Sequence, residues 1–189
     1  MAKALIITEK PSVARDIAGA VGGFEEMDGY WESDAYLLTF AVGHLFELLE
    51  PEELDEKFKR WTLDVLPIIP DRFEIKKKSG QAERIRTIEK LLRRKDVDRV
   101  VNACDAGREG ELIFREIVGF LGSDKPVHRL WLQSMTPAAI RKALAEKRNR
   151  MEAFQRQGFY ALAVHGEADG VDRLAGMLDT PGAASRQVA

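Results

Sequence analysis

Two short stretches of this chain place charged side chains where an apolar run gives way to a helical one. The first is Ala4-Leu5-Ile6-Ile7-Thr8, followed by Glu9-Lys10-Pro11-Ser12. The second is Arg99-Val100-Val101-Asn102-Ala103-Cys104, followed by Asp105-Ala106-Gly107-Arg108-Glu109-Gly110-Glu111 and a helical run from Leu112 to Leu121. If both apolar runs are strands and lie side by side, Glu9, Asp105 and Glu109 converge, with Lys10 and Arg108 beside them. Carboxylate oxygens suit a hard cation, Mg²⁺ or Mn²⁺ rather than zinc, and such a site uses one or two carboxylates with water and substrate phosphate completing the octahedron. Lys10 and Arg108 are suited to holding a phosphodiester and stabilising charge that develops on it. Each feature has a plainer reading: an acid in the first turn of a helix complements the helix dipole, and a neighbouring base neutralises it.

The elements that must position these residues follow from periodicity and punctuation. Ala4–Thr8 and Arg99–Cys104 are expected strands. Pro11 sits at the first position of a helix whose apolar residues Val13, Ile17 and Val21 recur every four, and Gly22-Gly23 ends it. Tyr30-Trp31 and Tyr36–Phe40 have the look of a hairpin or meander. Pro51–Asp71 carries three prolines and Trp61, and is expected to be an irregular surface excursion. Ser79-Gly80-Gln81 opens a helix through Arg94 with Ile85, Ile88, Leu91 and Leu92 inward. Val127–Gln133 is a further strand, and Thr136-Pro137 starts a helix through about Arg148. This order specifies an α/β fold, a parallel sheet with helices on both faces, which binds ligands at the carboxyl ends of its strands.

Composition bounds the function classes. In 189 residues, 45% are hydrophobic and 32% charged, which fits a globular chain with a real core. No apolar run is long enough to span a bilayer, so no membrane partner is expected. A single cysteine, Cys104, excludes an internal disulfide and a Cys-rich zinc site, and fits a reducing cytoplasm. Net charge is −2, but it is segregated: residues 45–56 hold six acids and no base, and residues 72–99 hold eleven bases against five acids. That pattern serves either a polyanion or ordinary solvated helix faces. His44, in an apolar turn after a strand, is a hydrogen-bonding residue or a further candidate.

Several ordered segments resemble one family. Leu5–Ala14, Ala41-Val42-Gly43-His44-Leu45-Phe46-Glu47-Leu48, Trp61-Thr62-Leu63 with Leu66-Pro67-Ile68-Ile69-Pro70, Asp105–Glu111, and Leu130-Trp131-Leu132-Gln133-Ser134-Met135-Thr136-Pro137 are similar to the TOPRIM region of type IA DNA topoisomerases, in the topoisomerase III branch. The resemblance implies a Rossmann-like TOPRIM domain over residues 1–136. Residues 137–189 would begin an incomplete helical domain that grips single-stranded DNA. It implies Glu9 and Asp105 as Mg²⁺ ligands with Glu109 completing the acidic cluster. Glu9, Lys10, Arg108 and Glu109 would be the catalytic set on this chain. Gly107 stands where the family often has a second aspartate. Lys10 and Arg108 map onto contacts to the DNA backbone, and Trp61 onto a DNA contact or a packing aromatic. The family's Arg-x-Glu-Ala-Asp-Trp DNA-binding run has as its counterpart either His165-Gly166-Glu167-Ala168-Asp169-Gly170, which lacks the arginine and the tryptophan, or a shifted version in Asp172-Arg173-Leu174-Ala175-Gly176, which would make Arg173 the DNA contact.

The same resemblance implies the activity of the intact enzyme. A tyrosine cleaves single-stranded DNA, a strand passes, and religation relaxes negative supercoils, in a cytoplasmic, nucleoid-associated setting. The family's nucleophile lies in a later domain, so Tyr30, Tyr36 and Tyr160 are expected to be packing residues and the isolated chain to lack full activity. Two other readings stay open: a metal-dependent TOPRIM nuclease in which water replaces tyrosine, and a non-catalytic module that binds single strands.

Overall fold

The computed structural model describes residues 2–145 except 71 and 72. The expectations for Tyr160, Arg173 and most of the helical extension lie outside the described residues.

Strand β1, Lys3–Thr8, occupies the middle of a six-stranded sheet. On one side it pairs in parallel with β4, Tyr36–Phe40, and on the other with β7, Val97–Asn102. Beyond β7 lies β8, Val127–Arg129, also parallel. Beyond β4 the direction reverses through β3, Tyr30–Glu32, and β2, Glu25–Met27, giving the order β2-β3-β4-β1-β7-β8. The expected parallel sheet is therefore mixed, because the short Asp28-Gly29 turn can join only antiparallel neighbours. The two central strands expected to be neighbours are neighbours.

β1 is apolar on both faces because both are covered. Leu5 and Ile7 enter one core with Ile85, Ile88, Leu91 and Leu92 of helix α3, Ala82–Leu92, and Ile113, Phe114 and Ile117 of helix α4, Arg108–Phe120. Ile6, on the opposite face, enters a second core with Ala14, Ile17 and Ala20 of helix α1, Pro11–Val21, and Ile140 of helix α5, Pro137–Ala145. This is the alternation a pleated strand imposes. On α1 the most deeply buried residues are Ala14, Ile17 and Ala20, while Val13 and Val21 are only partly buried at the margin. The α1 face is thus rotated from the one its valines suggest; small residues let α1 lie close between the sheet and α5, and Arg141 of α5 donates to the Ala20 carbonyl.

The segment after β4 leaves the sheet. β5, Phe46–Leu48, pairs antiparallel with β6, Ile75–Lys77, and between them run a four-residue helix α2, Pro51–Leu54, and two 3₁₀ turns, Glu56–Lys59 and Leu63–Val65. The irregular excursion is as expected; the small hairpin that closes it is not legible locally, because each strand has three residues and its partner is remote in sequence. β8 also stops at Arg129 rather than Gln133, and Leu130 onward forms the connection to α5. Among the described residues no helix is long and apolar enough to cross a membrane.

Candidate active site at the carboxyl edge of the central strands

The carboxyl ends of β1, β4 and β7 lie together because their registers align. Ile7 is level with Thr39 on one side and with Asn102 on the other. The chain then turns at three adjacent places: Glu9-Lys10 after β1, Ala41–His44 after β4, and Ala103–Gly107 after β7. Backbone bonds tie the turns together, from Ala103 N–H to the Ile7 carbonyl (2.8 Å), from Ala41 N–H to the Thr8 carbonyl (2.8 Å) and from Gly43 N–H to the Glu9 carbonyl (3.4 Å). The Thr8 hydroxyl donates to the Lys10 carbonyl at 2.9 Å, fixing the turn that presents Glu9 and Lys10.

On this edge Lys10 Nζ lies 2.9 Å from Asp105 Oδ2 and 3.7 Å from Glu9 Oε1. One cation therefore sits between carboxylates from two strands. The Glu9 side chain is only 10% exposed, whereas Lys10 and Asp105 are each 54% exposed. The hydrogen bond to Asp105, reinforced by the charges of Asp105 and Glu9, raises the Lys10 pKa above its ordinary value, so it is an ammonium.

Glu109 is placed differently. The helix begins at Arg108, four residues before the expected start at Leu112, so Arg108, Glu109, Gly110 and Glu111 form the first turn of α4. Glu109 is exposed and faces His44, with its Oε1 3.8 Å from His44 Nε2. His44 Nδ1 lies 3.3 Å from Oε2 of the buried Glu116, so the histidine spans two acids about two helical turns apart. Arg108 is exposed at the start of the helix. Trp61 is 68% exposed on the excursion, beside the similarly exposed Leu63.

Glu111 turns inward. Its side chain is 3% exposed and pairs with Arg115 (2.9 Å) and Arg129 (3.3 Å), while Asn102 Nδ2 donates to it at 2.9 Å. Asn102 Oδ1 also accepts from Cys104 N–H, and Arg129 donates to the carbonyls of Cys104 (2.8 Å) and Asp105 (2.9 Å). This buried network clamps the turn that carries Asp105. The sequence reading gives no role to Glu111 or Arg129; the available signals are the i,i+4 spacing of Glu111 to Arg115 and a polar Asn102 inside an apolar strand. Gly110 completes the clamp: a Cβ there would run into the Asp105 carbonyl and lie 2.8 Å from its nitrogen. At Gly107, by contrast, a Cβ would meet open space.

Magnitudes separate the two charge clusters. Removing one partner from a buried pair such as Glu111–Arg129 costs about 3–5 kcal/mol. A pair as exposed as Lys10–Asp105 is screened by solvent and contributes little. The first holds the turn; the second is cheap to open and free to exchange a partner. Cys104 belongs with the scaffold: it is buried, and burial pushes its thiol pKa up to about 12, so it is no nucleophile at neutral pH. Tyr30 and Tyr36 pack against the two cores.

The donor set fits a divalent metal in chemistry, since a cation already lies between the Glu9 and Asp105 carboxylates. It is sparse in number: among the described residues no three His, Cys, Asp or Glu side chains are grouped closely enough to hold a metal on their own. Glu9 and Asp105 are the pair that would hold it.

The fold and this edge define a protein class. The Toprim domain family profile matches residues 4–135, and the chain belongs to that family. DNA topoisomerase 3 of Bacillus thuringiensis (strain Al Hakam) is 42% identical over 145 residues, covering 77% of this chain and 20% of that protein. DNA topoisomerase 3 of Staphylococcus haemolyticus is 41% identical over 167 residues, covering 88% and 23%. Full-length topoisomerase I from Thermotoga maritima superimposes with a TM-score of 0.51 at 19% identity, over 76% of this chain and 21% of that one, which supports the fold. The chain thus spans about a fifth of the length of these relatives.

Proposed function

We propose that this chain is the Mg²⁺-binding, backbone-holding part of a topoisomerase III-like enzyme acting on single-stranded DNA. The observation that carries the reading is the shared cation position of Glu9 and Asp105 in the turns after adjacent strands, filled by Lys10 through a weak, exposed pair. It is supported by the identity to proteins named DNA topoisomerase 3.

In this reading Glu9 and Asp105 hold Mg²⁺, or Mn²⁺ in its place, and the metal supplies charge neutralisation at the phosphate. Lys10 moves from Asp105 to a phosphate oxygen, a displacement costing little because the pair it leaves is weak. Arg108 offers a second cation, at the start of α4 where backbone N–H groups favour an anion. Glu9, nearly buried, gives or takes the proton at the 3′-oxygen of the broken strand. Glu109, turned toward His44, takes no part in holding the metal. The tyrosine that attacks the phosphodiester would come from outside this chain.

The test mixes end-labelled single-stranded DNA with the protein and Mg²⁺, then reads native binding and a denaturing gel. Mg²⁺-strengthened binding, about tenfold, with neither a covalent adduct nor cleavage, is the expected result. Adduct on the protein, metal-dependent nicking without adduct, or binding indifferent to Mg²⁺ would each overturn the proposal.

A further inference from the structure

A cavity of about 420 Å³ opens beside the Lys10–Asp105 pair. It is lined by Asp105, by Val13 of α1, by Ala103 after β7, and by Leu132, Gln133 and Met135 in the connection between β8 and α5. It shares Asp105 with the candidate metal position, and Val13 lies in the first turn of the helix that Lys10 precedes. The cavity and the Lys10 position thus adjoin one another through Asp105.

We infer that this cavity takes one base of the single strand whose phosphate lies at Lys10. The inference rests on the reading proposed above and adds a base-binding position to it. A base taken out of its stack is held between apolar side chains and read along its hydrogen-bonding edge. Val13, Leu132 and Met135 provide apolar walls, and the Gln133 amide, exposed at the rim, offers both a donor and an acceptor. The volume falls within the range of small-ligand sites and accommodates a base with its sugar. A single strand has no pairing to break, so filling the cavity costs only unstacking. The partner chemistry fits a nucleic acid rather than a free acid metabolite, because Asp105 would repel a carboxylate placed in the cavity itself.

The experiment is an abasic scan of a single-stranded oligonucleotide, with Mg²⁺ present, using the full chain. One position is expected at which losing the base weakens binding about tenfold, against little change elsewhere. Gln133→Ala should flatten preference among bases at that position while preserving the abasic effect. 4-Thiothymidine placed there should photo-crosslink to the peptide containing residues 132–135. Equal effects at every position, or a crosslink to a different peptide, would overturn the base pocket while leaving the backbone site standing. No binding of single-stranded DNA at all would overturn both.

Discussion

Lys10 Nζ and Asp105 Oδ2 are 2.9 Å apart although 95 residues separate them in sequence, and the pair closes the gap between the turns after β1 and β7. The adjacency of those strands makes the contact; its exposure makes it weak. A scaffold needing a staple here would have buried it, as Glu111 and Arg129 are buried. The exposed pair instead leaves a cation between two carboxylates, which in the proposed function a metal and a phosphate would divide.

Replacing Lys10 should therefore leave the fold alone. Lys10→Met is expected to leave the urea unfolding midpoint unchanged. The salt dependence of single-stranded DNA binding should shallow by about 0.7 in log–log slope, the signature of one lost phosphate contact. An unchanged slope would remove Lys10 from the DNA.

Arg129→Met should do the reverse. It strands the buried Glu111 with one cation fewer and frees the Cys104 and Asp105 carbonyls. A stability loss of about 3 kcal/mol in urea is expected. A loss under about 1 kcal/mol would mean that Arg115 alone satisfies Glu111 and that the clamp is not where the turn gets its rigidity.

Much of this arrangement was legible in the sequence. The strand and helix around Glu9, the four core positions of α3, and the meeting of Glu9, Lys10 and Asp105 follow from apolar periodicity plus the rule that parallel strands present their carboxyl ends together. What was not legible depends on remote contacts. Glu111 carries the same charge as Asp105, and only its burial against Arg129 tells them apart. Glu109 looked like a third member of the acidic cluster, yet the early start of α4 at Arg108 turns it toward His44. The β5–β6 hairpin escaped because three-residue strands carry no period.

Acid should unfasten the far end of the sheet first. Arg94 bonds both Asp96 and Glu32, and Lys3 adds a second bond to Glu32, joining β1, β3 and the turn before β7. The hydrogen bonds from Arg94 hold the Asp96 carboxyl down at about 2, and Arg94 with Lys3 also lowers Glu32. A depressed folded pKa adds stability that is present above the unfolded value of 3.8 and lost as pH falls through about 2. The stability advantage of the wild type over Asp96→Asn in urea should be full at neutral pH and close across that acid window. An advantage independent of pH would remove the ion pair as its source.

Gly107 offers a gain-of-function test. Its φ of −135° is ordinary for any residue and a Cβ there meets no atom within 4 Å, so Gly107→Asp fits without strain. A further carboxylate beside Asp105 should tighten divalent-metal binding by about tenfold, measured by calorimetry. Unchanged affinity would place the metal away from this turn.

The most direct measurement is a titration of the protein with Mn²⁺ followed by the electron paramagnetic resonance of the free ion. One site is expected in the wild type, lost or strongly weakened in both Glu9→Gln and Asp105→Asn while folding is retained. Equal Mn²⁺ uptake by all three proteins, or no uptake by the wild type, would contradict the metal pair at the heart of the proposed function.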